Sequence, residues 1–302
     1  AAHFPLAEEP MIAAAWYRRA GDTARRAYAL AIALEHYRNA LRQIDDCPEL
    51  APTQMACLEG LGSVQTDLAR LSDAIASFMQ MAQIAERQAD PALEARAWNH
   101  LAFAYDTLGD PHTSQTHAER AALCAVQAGD AAQLALSYVR QGWAAIRLDL
   151  PQRALELGAQ ARELFAALDD RPNLARSIAM IGMAHEHLGH YDAATEHLEQ
   201  ALAIDRAAGN LGSACSHLNN LAVIANAQAD YTTARDLLHE DLALTRAIGS
   251  RVGEIYALSN LGTALIGLGE YRAAEAEIRR GIHLCETSRI AVFADFYRDL
   301  AE

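Results

Sequence analysis

The feature that most constrains the fold is a repeat with a fixed period. Short turn-forming segments recur along the chain, and they read LGDP, LDLP, LGHY, QADY and LGEY. These segments begin at residues 108, 148, 188, 228 and 268, so neighbouring copies are 40 residues apart. A second set of turn residues keeps the same spacing and consists of Asp90, Asp130, Asp170, Asn210 and Ser250. A period of this length is typical of repeat proteins, in which one supersecondary unit is copied and stacked.

Each repeat contains two segments with helical periodicity. Apolar residues recur at spacings of three and four rather than two, which predicts an all-α fold. We expect helix pairs at 51–69 and 72–88, 91–109 and 111–128, 131–148 and 151–168, 172–189 and 191–208, 211–229 and 231–248, and 251–269 and 271–286.

Glycines, prolines and small residues support these boundaries. Helices are expected to end in a left-handed glycine that is followed by a capping residue, at Gly129 and Asp130, Gly209 and Asn210, and Gly249 and Ser250. Prolines fall in first turns, where a missing N–H costs nothing, at Pro91, Pro111, Pro151 and Pro172. Small residues that let the two helices of a hairpin touch recur at Gly62, Ala102, Gly142, Gly182, Ala222 and Gly262, and at Ala74, Ser114, Ala154, Ala194, Ala234 and Ala274.

The first part of the chain is less regular, as terminal repeats usually are. We expect a short helix at 11–20 that ends at Gly21, with Asp22 as the next cap, and a long second helix from Thr23 to Asp45. The chain is interpreted as irregular helices and a first repeat at 1–50, six regular repeats at 51–286, and a capping helix or the start of a further repeat at 287–302.

Composition argues against several classes of function. The net charge of −14 argues against direct binding to nucleic acid, because phosphate contacts need a basic face. All 25 basic residues are arginine, so Schiff-base lysines, lysine-anchored cofactors and phosphate-loop lysines are excluded. No apolar run approaches the roughly 18 residues that indicate a membrane span. The N-terminus lacks the pattern of a signal peptide and has no initiator Met, from which we expect a fragment of a longer chain.

The cysteines and histidines predict neither disulfides nor a metal site. The cysteines show no CxxC pair, and we expect small buried thiols in a reducing cytoplasm, at Cys47, Cys57, Cys124, Cys215 and Cys285. Four histidines cluster without a carboxylate or cysteine to complete a ligand set, at His185, His187, His190 and His197. The chain has no GxSxG, no GxGxxG and no nucleophile–base arrangement. We therefore expect no metal, no cofactor and no catalytic residues.

The repeat resembles the tetratricopeptide repeat (TPR). The segment IGMAHEHLGHYDAATEHLEQAL has the pattern of that family, namely a leucine-type and small pair, a later Gly–x–Tyr, and alanines after the Tyr. Two further copies differ at the last small position, which is Gly281 in one and Asp241 in the other. Pro111 replaces the Tyr in a fourth copy, and the copy QGWAAIRLDLPQRALELGAQA lacks both Gly and Tyr. The resemblance covers roughly 23–286 and implies a right-handed α–α superhelix of about seven helix hairpins.

The period also resembles that of one group within the family, because it exceeds the usual length of about 34 residues. The segments HLNNLAVIANAQADYTTARDLL and ALSNLGTALIGLGEYRAAEAE, and the opening WYRRAGDTARRAYALAIALEHYRNAL, are similar to arrays in large bacterial signal-transduction ATPases (STAND regulators). A maltose-regulon-type activator is the familiar case. This resemblance implies a sensor or partner-binding arm, with catalysis or DNA binding in other parts of the chain.

We expect the binding surface on the first helix of each pair, because these helices line the concave face of such a superhelix. Asparagine amides there can bind the N–H and C=O groups of a peptide, arginines can bind a carboxylate or phosphate, and aromatic rings can form an apolar pocket. The candidate residues are Arg96, Asn99, Phe103, Asp106, Arg140, Trp143, Arg147, Arg176, Met183, Glu186, Asn219, Asn220, Asn226 and Asn260.

Structural roles are an alternative for the same residues. Trp143 and Phe103 are also suited to packing between adjacent first helices, and Asn220 and Asn260 to bracing a hairpin. The arginines are also suited to pairing with carboxylates on the surface, at Glu94, Asp106 and Glu186. We predict a non-catalytic scaffold or sensor that binds a peptide, a protein segment or a small effector and has no nucleic-acid or membrane partner. The alternative is a structural module that self-associates as a homo-oligomer, or packs on its own chain, without a ligand groove.

Overall fold

The computed structural model describes residues 8–44, 50–68 and 70–288, and within these ranges the chain forms 14 α-helices and no strand. The helices are α1 Glu8–Arg26, α2 Leu30–Arg42, α3 Ala51–Asp67, α4 Leu71–Gln88, α5 Pro91–Leu108, α6 Pro111–Ala128, α7 Ala131–Arg147, α8 Pro151–Ala167, α9 Arg171–His187, α10 Tyr191–Ala208, α11 Leu211–Ala227, α12 Tyr231–Ile248, α13 Arg251–Gly267 and α14 Tyr271–Ser288. Within this described part, no helix is long and apolar enough to cross a membrane. The predicted all-α class is confirmed.

Contacts between Cα atoms divide the chain into two compact units, unit 1 (Ala1–Leu148) and unit 2 (Asp149–Glu302). In unit 1, α1 packs on α2, α3 on α4, and α5 on α6, and the first helices α1, α3, α5 and α7 also contact one another. In unit 2, α9 packs on α10, α11 on α12, and α13 on α14, and α11 contacts both α9 and α13. Each unit therefore has a row of first helices. We call the exposed side of α3, α5 and α7 the unit 1 wall, and that of α9, α11 and α13 the unit 2 wall.

The six predicted helix pairs are confirmed, with each observed boundary within two residues of the prediction. Gly129, Gly209 and Gly249 have φ values of 67°, 68° and 71°, in the left-handed region that favours glycine. Asp130 and Ser250 cap the following helices by accepting hydrogen bonds from the backbone N–H groups of Gln133 and Gly253. The four prolines occupy first turns as expected.

Asn210 does not cap α11, which corrects the sequence interpretation. Its amide nitrogen instead donates to Asp205 Oδ1 at 2.9 Å and to Ser213 Oγ at 3.0 Å. Asp205 is a buried carboxylate, and such a group needs hydrogen-bond donors. The Asn210 side chain supplies a donor to Asp205 rather than an acceptor to the helix N-terminus.

The small residues of the repeat lie where hairpin helices meet closely, as predicted. A Cβ atom on Gly62 would lie 2.4 Å from Cε1 of Phe78, and one on Gly262 would lie 2.7 Å from Cγ1 of Ile278. These glycines bring α3 against α4, and α13 against α14.

The predicted break at Gly21, and the predicted second helix from Thr23, are wrong. The first helix continues through Gly21 to Arg26, and the turn falls at Tyr28, which has a φ of 54°. Gly21 lies inside this helix, and its missing side chain leaves room for the ring of Tyr37, since a Cβ atom would lie 2.9 Å from Cε1 of that ring. Asp22 is not a cap either, since its carboxylate accepts a hydrogen bond from the Tyr37 hydroxyl at 2.7 Å.

Four of the cysteines are buried free thiols, as predicted: Cys57, Cys124, Cys215 and Cys285. Cys47 and the expected C-terminal segment beyond residue 288 lie outside the described residues.

Candidate functional site

Ion pairs connect the first helices of the unit 1 wall. Arg96 on α5 binds Glu59 on α3 through two of its nitrogens, and the Nε–Oε1 distance is 3.0 Å. His100 Nε2 lies 2.8 Å from the same Glu59 Oε1 atom. Arg147 on α7 pairs with Asp106 on α5, with 2.7 Å between Nε and Oδ1. Two of the predicted site arginines therefore already have carboxylate partners.

Glu59 is held in its charged form by these neighbours. Partial burial alone would raise its pKa, but the hydrogen bond and charge of His100, together with Arg96, hold the pKa below its usual value. A lowered pKa of this kind stabilises the fold above the ordinary glutamate range, and the stabilisation is lost as the pH falls through the folded-state pKa.

An aromatic and cationic patch lies beside these pairs. The Arg140 guanidinium lies over the Phe103 ring at 4.4 Å from its centroid, a cation–π arrangement that joins α7 to α5. Phe103 is 36% exposed and Trp143 is half-buried. These side chains provide an apolar surface that a ligand can reach.

Asn99 is placed differently from the other candidates. It is only 1% exposed, and its amide nitrogen donates to the backbone and side-chain oxygens of Gln133, both at 3.0 Å. Asn99 therefore braces α5 against α7 and does not present its amide to a ligand.

On the unit 2 wall, three asparagines form an interlocked network. Asn260 on α13 donates to Asn219 Oδ1 on α11 at 2.9 Å, and Asn226 on α11 donates to the backbone carbonyl of Asn260 at 3.1 Å. Asn220 follows Asn219 on α11 and is half-buried, and its side chain makes no hydrogen bond to another described residue. Its amide therefore keeps both a donor and an acceptor available.

The remaining candidates lie on α9. Arg176 is exposed and donates to Asn173 Oδ1 at 3.0 Å. Met183 is half-buried and packs against the core of unit 2. Glu186 pairs with His187, with 2.9 Å between Oε2 and Nδ1. Together with the four asparagines, these residues give the unit 2 wall amide, apolar and charged groups.

Two residues of the unit 1 wall were not predicted, although the period could have identified them. Glu59 precedes Asn99 by 40 residues, and His100 precedes Arg140 by 40 residues. The same register therefore extends the predicted site to α3. The prediction chose single residues by type and did not compare the equivalent position in every repeat. It therefore missed Glu59, the carboxylate that Arg96 binds.

The histidine cluster forms a contact between rings inside one hairpin. The ring centroids of His190 and His197 lie 5.8 and 5.4 Å from that of His185. Burial lowers the pKa of His185, and His197 and His190 lower it further. No group of three or more His, Cys, Asp or Glu residues suited to a metal ion was found among the described residues.

Family models match two parts of this array. A tetratricopeptide repeat model matches residues 144–207, and a second tetratricopeptide repeat model matches residues 215–248. No curated protein matches the sequence significantly.

Solved structures with the same fold include proteins that were crystallised with ligands. The Rap conjugation gene regulator of the plasmid pLS20, in complex with the Phr* peptide, is 12% identical, covers 95% of this chain and 77% of its own, and has a TM-score of 0.71. A Rap protein complexed with Competence and Sporulation Factor is 14% identical, covers 97% and 96%, and has a TM-score of 0.65.

A third similar structure is a Signal Transduction ATPase with Numerous Domains (STAND) protein with a tetratricopeptide repeat sensor, from Pyrococcus horikoshii. It is 15% identical, with a TM-score of 0.62, and the match covers 90% of this chain and 42% of that one. At these identities the likeness shows the fold alone. The two matching models identify tetratricopeptide repeats at residues 144–207 and 215–248, and the similar structures show that the described chain has the fold of a helical solenoid of such repeats.

Proposed function

We propose that the chain is a non-catalytic scaffold or sensor that binds a peptide or protein segment along the unit 2 wall. The observation that carries this proposal is the arrangement of Asn220. Its amide keeps its donor and acceptor available, while Asn219 and Asn226 on the same helix and Asn260 on α13 are fixed in a hydrogen-bonded network. One asparagine side chain can bind the N–H and the C=O of an extended peptide, whatever its sequence.

The hydrogen bonds of Asn219, Asn226 and Asn260 hold α11 against α13. A ligand on this wall would therefore order the Asn220 side chain but need not order these three, which limits the entropy cost of binding. The wall also provides the half-buried Met183 for apolar contact. Two similar folds were solved with a bound peptide or factor, which agrees with this use of the fold.

We further propose that the chain is the sensor part of a larger, cytoplasmic bacterial regulator of signalling or transcription. The likeness to a STAND protein with a tetratricopeptide repeat sensor supports this context, since the match covers 42% of that longer chain. In such a regulator, a ligand acts by favouring one of two conformations, to the extent that it binds one more tightly than the other.

The test is a peptide array probed with the wild-type chain, Asn220→Ala and Gln200→Ala. Gln200 is an exposed amide on the second helix α10 and provides a matched control. Loss of one or two backbone hydrogen bonds, each of about 1 kcal/mol, should weaken binding about tenfold in Asn220→Ala. Gln200→Ala should bind as the wild type does. Equal binding by Asn220→Ala and wild type would remove Asn220 from the site, and an array without any bound peptide would contradict the function.

An exposed apolar pair favours self-association as a second candidate function. Leu123 and Val126 on the second helix α6 are 68% and 63% exposed. A contact between copies would cover these side chains without using either wall. Light scattering should then show a mass that rises with concentration and returns to that of a monomer in Leu123→Ser/Val126→Ser. A monomer at every concentration would contradict this alternative.

A further inference from the structure

The helix α1 has an exposed apolar surface, which we call the α1 face. It is an open groove lined by Trp16, Arg19, Thr23 and Ala27 of α1 and by Ile32 of α2. The Trp16 side chain is 67% exposed and that of Ile32 is 55% exposed. Because contiguous exposed apolar groups mark interaction surfaces, the α1 face is a candidate contact site away from both walls.

The repeat register relates α1 to the next first helix, α3. In the first hairpin, Gly21 leaves room for the Tyr37 ring, and in the next hairpin Gly62 leaves room for the Phe78 ring. These two contacts are equivalent, because in each pair the partners are 16 residues apart. A residue of α1 therefore corresponds to the residue 41 positions later on α3.

Two residues of the α1 face correspond to positions that a preceding helix covers in the next repeat. Trp16 corresponds to Cys57 and Thr23 to Val64, and both residues on α3 are 0% exposed. Cys57 packs in one cluster with Ala40 of α2, and Val64 packs in another with further residues of α2. The α1 face is thus the kind of surface on which a second helix packs. Equivalent residues on later first helices, all 0% exposed, are Ala97, Ser137, Ser177, Ala104, Ala144 and Ala184.

The size of Trp16 limits what can lie opposite it. At the equivalent position the next repeats have the small residues Cys57, Ala97 and Ser137. Packed helices lie about 8–10 Å apart, and the side chains at the contact decide this distance. A helix that covers the α1 face at such a distance therefore needs a small residue, such as Ala or Gly, opposite the indole ring.

Two arginines give the α1 face a cationic border. Arg19 and Arg26 are seven residues apart, which places them on the same side of the helix, and both are exposed. Among the described residues, no carboxylate oxygen lies within 4.0 Å of either guanidinium. Arg19 lies 5.9 Å from the Trp16 ring centroid, and Arg26 donates to the backbone carbonyl of Asp22 at 3.3 Å. The groove has no acidic lining residue, so a second copy of the same face does not complement these charges.

From these contacts we propose that the α1 face binds an amphipathic helix of a partner protein, in the place that a second helix takes on α3. The apolar stripe of this helix has a small residue opposite Trp16, and Asp or Glu residues beside the stripe pair with Arg19 and Arg26. Exposed ion pairs contribute little affinity, so the buried apolar surface provides most of the binding and the charges fix the orientation. The interaction uses neither wall and goes beyond the proposed function.

The experiment selects ligands from a display library of helical peptides of about five turns. The stripe positions vary among Ala, Gly, Leu and Ile, and the flanking positions vary among Glu, Gln and Lys. The selected peptides are then measured against the wild type, Thr23→Arg and Thr116→Arg. Thr116 on α6 is a matched control, because both threonines are exposed and donate to the backbone carbonyl four residues earlier, that of Arg19 at 2.9 Å and that of His112 at 3.1 Å.

Peptides selected on the wild type should have a small residue at the centre of the stripe and Glu at the flanks. Thr23→Arg should weaken their binding at least about tenfold, because it places a charged side chain in the apolar groove. Thr116→Arg should bind as the wild type does. Replacing the flanking Glu residues by Gln should weaken binding to the wild type about threefold and leave binding to Arg19→Gln/Arg26→Gln unchanged.

Fluorine NMR of the chain labelled with 5-fluorotryptophan locates the contact. The three tryptophans are Trp16, Trp98 and Trp143, and Trp16→Phe assigns the first resonance. Only the Trp16 resonance should shift when a selected peptide is added. In the free protein it should also show a larger solvent isotope shift than the resonance of Trp98, which is 4% exposed.

Four results would overturn the inference. They are a library that yields no helical ligand, ligands that bind Thr23→Arg as tightly as the wild type, ligands that prefer Lys at the flanks, and a Trp16 that is already shielded from solvent in the free protein. The last result would show that the chain itself or a second copy covers the α1 face. None of them affects the proposed function, because Asn220 and the unit 2 wall take no part in this contact.

Discussion

Asp241 is a buried carboxyl group at a position where other repeats have a small residue. The equivalent residues 40 positions before and after it are Ala201 and Gly281. Asp241 is 1% exposed, and its Oδ1 atom has no hydrogen-bond partner among the described residues. Burial raises its pKa to about 7, against the opposing effect of the Cys215 thiol. An ionised carboxylate here therefore costs folding free energy at neutral pH.

We predict that Asp241→Ala stabilises the protein, and more so at pH 8 than at pH 4. The carboxyl loses its proton near pH 3.8 when unfolded and near pH 7 when folded, so it lowers the stability as the pH rises between these values. Removing it should add about 1–3 kcal/mol to the free energy of unfolding at pH 8, because the full shift is an upper limit. Urea denaturation at the two pH values measures this gain. Asp236→Ala, at an exposed position of the same helix, should change little, and a loss of stability in Asp241→Ala at pH 8 would contradict the explanation.

Helix hairpins are the elements that the sequence predicts best, because each copy repeats the same caps, prolines and small residues. The observed ends of α3 to α14 agree with the prediction within two residues. The failure at Gly21 has a local cause. Glycine ends a helix only where it adopts a left-handed conformation. Gly21 instead lies inside a helix, where the absence of a side chain leaves room for the ring of Tyr37, a residue distant in sequence.

The candidate site was less predictable than the hairpins. Helical periodicity places a residue on the first helix but does not decide whether its side chain faces a ligand or a neighbouring helix. Asn99 and Asn219 occupy the same register, 120 residues apart, yet Asn99 is 1% exposed and Asn219 is half-buried on the unit 2 wall. The two side chains have different partners in the following repeat, namely Gln133 for Asn99 and Asn260 for Asn219. Which partner lies opposite depends on the packing between repeats, and the helical periodicity does not reveal it.

At the scale of a hairpin, we predict that Gly62→Ala destabilises the protein by about 2–3 kcal/mol. The added methyl group would lie 2.4 Å from the ring of Phe78, which is fully buried and packed in the core. Thermal unfolding measures the loss.

Gly109→Ala is the control for this prediction. Gly109 has a φ of 86° but no heavy atom within 4 Å of an added Cβ atom, so its substitution should cost about 1 kcal/mol from backbone strain alone. Equal losses of stability in the two variants would show that the close contact between α3 and α4 is not the reason why Gly62→Ala destabilises the protein.

The charge of the whole molecule constrains which ligands it can bind. With a net charge of −14 and no lysine, the chain repels anions at long range. About half of the arginines among the described residues also pair with carboxylates, as Arg206 does with Glu240 and Arg246 with Glu254. The charge of the whole molecule therefore disfavours a polyanionic ligand.

The crystal structure of the chain with a peptide selected on the array tests the central claim most directly. The account predicts that the peptide lies on the unit 2 wall, with a backbone amide hydrogen-bonded to Asn220. A peptide bound on the second helices α10 and α12, or one that leaves Asn220 without a partner, would contradict it.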